Sequence, residues 1–425
     1  IANRLVWCEL FRQWSTFHPE FTFLPRKFKI VVNGAEADRA AVFLHDIGLQ
    51  MLRDDWGAIG FRVSVGGGMG RTPIVASVIR EFLPWPHLLT YLDAILRVYN
   101  RSGRRDNIHK ARIKILVKAR TPEKFREEVE AEWAHIRDGS ATLIAEELRR
   151  IESRFTQPSY EPFPRDDAGH LTRLAAEPGY ASWVRRNVFP HRVPGYAAVT
   201  LSLKKTGVPP GDVTSDQMDA IADLADRYSQ GELRVSHEQN LILADVRQSD
   251  LHALWGEAKK LGLATPNIGM ITNIIACPGG DFCSLANAKS IPVAQAIQER
   301  FDRLDYVYDI GELDLNISGC MNSCGHHHIG HIGILGVDKG GEEWYQISIG
   351  GNQGLTRPGA PAALGKVIGP SFAREDIPGV IEKLIATYLR QRESEAERFI
   401  DVVWRVGIEP FKENVYGDHH QRQER

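Results

Sequence analysis

Four of the five cysteines lie close together in the C-terminal half of the chain. They form two pairs, Cys277-x5-Cys283 and Cys320-x3-Cys324, within one window of 48 residues. An odd cysteine count in a chain of 425 residues does not suit a disulfide framework, whereas four thiolates suit the soft irons of a 4Fe-4S cluster. Neighbouring glycines allow the backbone to bend around a cluster and to point N–H groups at its sulfurs. We therefore predict that Cys277, Cys283, Cys320 and Cys324 are cluster ligands.

A zinc site is the alternative for these cysteines. Paired ligands of structural zinc are usually spaced C-x2-4-C, so x3 is allowed and x5 is unusual. The histidines that follow, His326, His327, His328 and His331, suggest a mixed site, but three adjacent side chains of a regular segment point in different directions. We expect these histidines mostly to pack, hydrogen-bond or face solvent, with one or two touching a cofactor or relaying protons. Cys8 is expected to be a buried or incidental thiol.

A run of basic residues occupies positions 101–120, with eight Arg or Lys against one acid. Its basic members are Arg101, Arg104, Arg105, Lys110, Arg112, Lys114, Lys118 and Arg120. Arg112 and Lys114 alternate with apolar residues, which predicts a strand with both cations on one face, about 6.5–7 Å apart, within reach of one anion. In the RKFKI segment, Arg26 is expected to share a strand face with Phe28. A solvated basic strand or a nucleic-acid patch is the alternative for the run.

A weak internal repeat relates two glycine-rich loops. FRVSVGGGMGRTP, which ends at Pro73, resembles YQISIGGNQGLTR, which ends at Arg357. At an offset of 284 the identical pairs are Ser64/Ser348, Gly66/Gly350, Gly67/Gly351, Gly70/Gly354 and Thr72/Thr356. A strand-like segment precedes each copy, and a helix ending near Tyr99 or Tyr388 follows. The repeat predicts two related lobes around a pseudo-twofold axis, a common place for one large cofactor.

The first glycine-rich loop follows a strand, as a dinucleotide fingerprint does. Gly66 and Gly68 fit the first two positions, but Arg71 occupies the third, and the repeat copy lacks it too. We therefore predict that Gly66, Gly67, Gly350 and Gly351 let the backbone approach a different cofactor. Reducing power must then come from a separate donor.

The cysteine motif resembles the signature of the siroheme-containing nitrite and sulfite reductases. The resemblance rests on C-x5-C followed by NISGC-x-N-x-CG, on LPRKFK at 24–29, and on the glycine-rich loops; it extends over nearly the whole chain. It implies siroheme beside the 4Fe-4S cluster, with Cys324 bridging a cluster iron to the siroheme iron. It places Asn322 beside the macrocycle, while Arg105 is a candidate partner for siroheme carboxylates.

The same resemblance implies that Arg26, Arg112 and Lys114 bind the oxyanion and donate protons. Sulfite-reducing members typically have Lys at position 114 and plant-type nitrite reductases have Asn, so we predict six-electron reduction of sulfite to sulfide. Reduction of nitrite to ammonia is the alternative, and a non-redox zinc-binding or nucleic-acid-binding protein is a distant one. The predicted partners are a small oxyanion and a flavoprotein or ferredoxin donor.

The predicted fold is α+β, with a pseudo-twofold repeat of mixed siroheme/4Fe-4S domains and a ferredoxin-like half-domain between them. Its expected segments are 1–156, the first lobe; 157–180, a Pro-rich linker; 181–265, the half-domain; and 266–425, the cluster lobe. If the lobes are duplicates, a matching half-domain is expected before residue 1, and the family brings a further site arginine from it.

Composition predicts an ordinary soluble protein. The net charge of −2 gives no general attraction to nucleic acid or membranes, and no apolar run reaches the length of a membrane helix. We expect a cytoplasmic enzyme, although the chain starts without Met, as if cut from something longer.

Overall fold

The computed structural model of this protein describes residues 2–302, 309–356 and 359–423. The chain divides into two compact units. The first unit contains Ile1–Gln157 and Asn352–Leu364, and the second contains Pro158–Gly351 and Gly365–Arg425. Within the described residues, no helix is both long and apolar enough to cross a membrane.

The first unit packs helices on a four-stranded sheet. In chain order its elements are α1 Arg4–Ser15, β1 Ile30–Asn33, β2 Ile47–Arg53, β3 Ile59–Val65, β4 Ser77–Pro84, α2 Leu88–Ser102, α3 Ile113–Arg120, α4 Pro122–Ile136 and α5 Ala145–Glu152. The strand order is β1-β2-β3-β4, with β1 parallel to β2 and the other pairs antiparallel. Phe61 of β3 and Tyr91 and Tyr99 of α2 are fully buried in its core.

The second unit begins with the predicted half-domain. Its elements are α6 Ala168–Ala176, α7 Pro178–Asn187, β5 Val188–Pro190, β6 Tyr196–Leu201, α8 Ser215–Tyr228, β7 Leu233–Val235, β8 Leu241–Arg247 and α9 Leu251–Lys260. The sheet is antiparallel in the order β5-β6-β8-β7. Thr214 and Gln217 form a capping box at the start of α8. The predicted linker segment, 157–180, contains α6 and the start of α7.

The rest of the second unit forms a five-stranded sheet with helices. Its elements are β9 Ile275–Ala276, α10 Ile291–Asp302, β10 Leu315–Ser318, β11 Ile332–Lys339, β12 Glu342–Ile349, β13 Lys366–Val367, α11 Ile377–Gln391, α12 Phe399–Val406 and α13 Glu409–Gln423. The order is β13-β12-β11-β10-β9. Strands β9, β10 and β11 are parallel neighbours, and the other pairs are antiparallel.

The internal repeat is confirmed in structure, because β10–β13 reproduce the order and directions of β1–β4. Ser64 Oγ donates to the Gly48 carbonyl at 3.2 Å, and Ser348 Oγ donates to the Gly333 carbonyl at 3.5 Å. Helices α3 and α12 both have eight residues and an arginine as N-cap. Arg357, the last residue of the second sequence copy, lies outside the described residues.

Candidate functional site

Two neighbouring parallel strands position the four predicted cluster cysteines. Strand β9 pairs with β10, with Ala276 opposite Ile317, so the chain leaves both strands at the same sheet edge. Cys277 directly follows β9, and its N–H donates to the Ile317 carbonyl at 3.1 Å. Cys320 lies two residues beyond β10. The sheet therefore brings the two cysteine loops, 277–283 and 319–325, together.

Hydrogen bonds at Gly319 join the second cysteine loop to Cys277 and to Ala288, which follows the first loop. The Gly319 N–H donates to Cys277 Sγ at 3.1 Å, and the Ala288 N–H donates to the Gly319 carbonyl at 3.1 Å. Ser290 Oγ also lies 3.5 Å from Cys277 Sγ. A Cβ on Gly319 would lie 2.5 Å from the Ala288 carbonyl oxygen, so only glycine fits this approach. N–H donors to sulfur stabilise a thiolate and tune a cluster, so the loops suit a 4Fe-4S cluster.

The four thiols differ in exposure. Cys320 is buried, Cys277 and Cys283 are half-buried, and Cys324 is exposed. In the described part of the chain, no three His, Cys, Asp or Glu side chains group closely enough to hold a single metal ion. Ligands of one zinc ion must converge on one point, whereas each ligand of a 4Fe-4S cluster binds its own iron.

The histidines after the second cysteine pair are mostly packed side chains. His331 is buried, and its Nδ1 accepts from the Asp314 N–H at 3.1 Å. His327 is buried as well, and burial lowers its pKa to about 3, so its ring is neutral. Neither ring nitrogen of His327 has a hydrogen-bond partner among the described residues. The thiol outside these loops, Cys8, is exposed on α1. Of the two alternatives predicted for it, a buried or an incidental thiol, the buried one is wrong.

The predicted strand through Arg112 and Lys114 is wrong. Residues 113–120 form helix α3, and Arg112 is its N-cap with an extended backbone. Ile113 and Val117 are buried on the helix face that packs into the core, since side chains four apart share one face. The two cations therefore flank a helix start and do not alternate along a strand.

Arg112, itself half-buried, forms an ion pair with the fully buried Asp46, a residue that the sequence did not single out. Its Nε and Nη2 donate to the two Asp46 carboxylate oxygens at 3.0 and 2.8 Å. The Asp46 side chain is fully buried, and its Oδ2 also accepts from the Lys29 N–H at 2.9 Å. Burial raises the Asp46 pKa, and the Arg112 guanidinium counteracts that rise. The two hydrogen bonds to Asp46 thus hold the Arg112 guanidinium group in one orientation.

Arg112→Met is expected to destabilise the protein by about 3–5 kcal/mol, because it leaves the fully buried Asp46 carboxylate without its partner. The double variant Asp46→Asn/Arg112→Met should recover part of that loss, and urea unfolding of the single and double variants measures the coupling. Arg104→Met, which removes an exposed ion pair with Asp106, is the matched control and should leave the stability close to that of the wild type. Equal losses for Arg112→Met and Arg104→Met would contradict the structural role of the buried pair.

Lys114 is buried in the first turn of α3. Its ammonium donates to the Met69 and Thr72 carbonyls of the first glycine-rich loop, at 2.8 and 2.6 Å. A Cβ on Gly68 would lie 3.1 Å from Lys114 Cδ, so the glycine makes room for this side chain. Burial, and then the neighbouring Arg112 charge, lower the Lys114 pKa to about 8. Such a group holds a proton at neutral pH and releases it readily.

The other predicted basic residues also contact carbonyls of the first unit. Arg26 lies in a bend before β1 and not in a strand, which corrects the expected pairing with Phe28; its Nη1 donates to the Ile108 carbonyl. Arg105 is exposed and donates to the Asn100 and Phe23 carbonyls at 2.7 and 3.0 Å. Both guanidinium groups therefore stabilise loops of the first unit.

The remaining residues that were predicted to contact a cofactor are divided between the two units. Asn322 is exposed between Cys320 and Cys324. The four glycines, Gly66, Gly67, Gly350 and Gly351, are buried. Gly66 and Gly350 have φ of +87° and +86°, and their N–H groups donate to the Asp46 and His331 carbonyls, both at 3.0 Å. Close backbone packing within each unit explains these glycines, and their contact with a cofactor remains a prediction.

The two cysteine loops fit an iron–sulfur protein, and comparison with known proteins identifies the family. A family model described as the nitrite and sulphite reductase 4Fe-4S domain matches residues 1–137 and 269–423. A second, described as the nitrite/sulfite reductase ferredoxin-like half domain, matches residues 201–261. The chain belongs to the nitrite and sulphite reductase 4Fe-4S domain family, and this membership implies a 4Fe-4S cluster and siroheme as cofactors.

The curated relatives that this chain matches are named as nitrite or sulfite reductases, and they are longer than this chain. The chain is 28% identical over 379 residues to a ferredoxin–nitrite reductase of Synechococcus elongatus, covering 86% of this chain and 64% of the relative. It is 27% identical over 400 residues to a sulfite reductase [ferredoxin] of Mycobacterium tuberculosis, covering 91% and 63%. The chain thus spans less than two thirds of either relative. The solved structure of Mycobacterium tuberculosis NirA protein shares the fold, with a TM-score of 0.72 and 24% identity over 97% of this chain and 68% of that one.

Proposed function

We propose that the protein catalyses the six-electron reduction of sulfite to sulfide. The observation that carries the proposal is the pair of cysteine loops, which the parallel ends of β9 and β10 and the hydrogen bond from the Gly319 N–H to Cys277 Sγ bring together. Cys277, Cys283, Cys320 and Cys324 would hold the cluster, and Cys324 would also bind the siroheme iron. When bound, these cofactors supply an open iron position for the oxyanion and a path for single electrons.

The first unit supplies cationic side chains for the oxyanion. Conversion of sulfite to sulfide releases three oxygens as water, so it consumes six protons with the six electrons. Lys114 is suited to deliver protons, because its ammonium is desolvated and its pKa is lowered to about 8. Arg112, fixed by Asp46, and Arg26 would hold the anion by charge-assisted hydrogen bonds.

Nitrite reduction to ammonia is the second candidate function. The name of the Synechococcus relative, a ferredoxin–nitrite reductase, favours it, whereas the lysine at position 114 favours sulfite. Electrons would come from a separate ferredoxin or flavoprotein. We include the cytoplasm in the proposal, because its reducing conditions keep thiols available as ligands.

Steady-state assays of sulfite and nitrite side by side, with an artificial one-electron reductant and the full-length protein, test the proposed substrate. We expect siroheme absorption bands, about four non-haem irons per chain, and a higher kcat/KM for sulfite. A higher kcat/KM for nitrite would select the second candidate. A colourless preparation that contains zinc would refute both.

A further inference from the structure

Lys204 is a fully buried lysine that the proposed reaction does not use. It lies three residues beyond β6 of the half-domain. Its Nζ donates to the Ile274 carbonyl at 2.8 Å and to Gln239 Oε1 at 3.1 Å. Two acceptors match the two N–H groups of a neutral amine, whereas an ammonium has three.

One hydrogen-bond partner of Lys204, Ile274, belongs to the segment that leads into the first cysteine loop. The other partner, Gln239, binds that segment directly. Ile274 comes immediately before β9, which ends at Ala276, the residue before Cys277. Gln239 Nε2 donates to the Ala276 carbonyl at 2.8 Å, and its Oε1 accepts from the Ala276 N–H at 3.0 Å. The Gln239 side chain therefore connects the Lys204 amine to the backbone of Ala276, the residue before the proposed ligand Cys277.

The surroundings of Lys204 contain amides and no close countercharge. Asn267 Nδ2 and Gln298 Nε2 donate to the Lys204 carbonyl at 3.1 and 3.4 Å. In the described part of the chain, no carboxylate oxygen lies within ion-pair distance of its Nζ; Glu238 and Asp212 attract the charge from further away. Burial lowers the Lys204 pKa to about 7, so a small change of local charge shifts its protonation at neutral pH.

A cavity is lined by Gln239, a hydrogen-bond partner of the amine, and by Leu203, the residue before Lys204. Its volume is about 380 Å³, and its walls include Asp212, Gln239, Ala276 and Pro278. A space of this size holds several water molecules. Gln239 therefore contacts both the cavity and the Lys204 Nζ atom.

We propose that Lys204 takes up a proton when the cluster beside Cys277 takes up an electron. A one-electron donor supplies the electron to the cluster, and the neutral Lys204 amine binds a proton from water of the cavity to become an ammonium. The added negative charge stabilises the added positive charge across a medium of low dielectric constant. The inference rests on the cluster ligands of the proposed function, and it makes the half-domain part of the electron-entry step.

The test is the midpoint potential of the cluster as a function of pH, measured on the cluster-loaded full-length protein without sulfite or nitrite. For the wild type, we expect the potential to fall with rising pH above the Lys204 pKa of about 7. A tenfold gain in proton affinity on reduction corresponds to a total fall of about 59 mV. Lys204→Met has no positive charge, so its potential should be independent of pH and equal to the high-pH potential of the wild type. Lys204→Arg is always charged, so its potential should also be independent of pH but equal to the low-pH potential of the wild type.

Two outcomes would overturn the role of Lys204 while leaving the proposed function intact. One is a wild-type potential that does not change with pH, and the other is a pH dependence that persists in Lys204→Met. Lys204→Arg keeps the positive charge, so it decides the question if the Met variant loses its iron. Absence of cluster iron in the wild type would overturn both the inference and the proposed function, whereas a pH-dependent potential without sulfite or nitrite turnover would overturn only the function.

Discussion

Cys324→Ser is expected to reduce turnover of sulfite and nitrite to background while the protein still folds. A serine hydroxyl does not ionise at neutral pH, so it cannot replace the thiolate proposed to join the cluster to siroheme. The side chain at 324 is exposed, so the change leaves no buried cavity. Its neighbours hold the loop in place, since Gly325 N–H donates to Ser318 Oγ at 3.1 Å.

Turnover with an artificial reductant, iron content, and the absorption and EPR signals of the two cofactors measure the effect. The matched control is Cys8→Ser, which changes the exposed thiol on α1 and should behave as the wild type. Retention of wild-type sulfite turnover by Cys324→Ser would contradict the bridging role. An equal loss in Cys8→Ser would show that the effect is not specific to the cluster loops.

Lys114→Asn is expected to lower kcat/KM for sulfite by about 10²–10⁴-fold, the range for loss of a general acid, and to lower that for nitrite less. The amide keeps a hydrogen-bond donor but has no proton to release. In the wild type, sulfite turnover should fall as pH rises through about 8, because the Lys114 ammonium then loses its proton. This fall should be absent from the residual activity of Lys114→Asn.

Lys118→Asn is the control on the same helix, since Lys118 is exposed and should tolerate the change. Steady-state rates with each oxyanion across the pH range give the comparison. Equal losses for sulfite and nitrite would remove the reason to prefer sulfite. An unchanged pH profile in Lys114→Asn would assign the titration to another group.

The prediction that the four cysteines are ligands could be made from sequence because their signal is local. Spacing within Cys277–Cys283 and Cys320–Cys324, together with adjacent glycines, reflects the turns that a cluster requires. The duplicated sheet was visible for a related reason: Ser64 and Ser348, with the glycines after them, satisfy the same tight backbone contacts in both copies.

The segment around Lys114 shows where pattern alone fails. ARIKILVK alternates like a strand, yet it also places Ile113 and Val117 one helical turn apart. Short apolar runs do not distinguish the two periods. Packing of Ile113 and Val117 in the core selects the helix, and the position of Lys114 relative to the glycine-rich loop follows from it.

The sequence alone predicts the four cysteines as ligands and reveals the repeat and the basic run, since each depends on residues near one another in the chain or on a repeated motif. Folding selects the side chains that partner the buried charges. Asp46 lies 66 residues from Arg112, and Ile274 lies 70 residues from Lys204. Buried charges and amines need partners, and no spacing rule predicts a partner that folding brings from so far away.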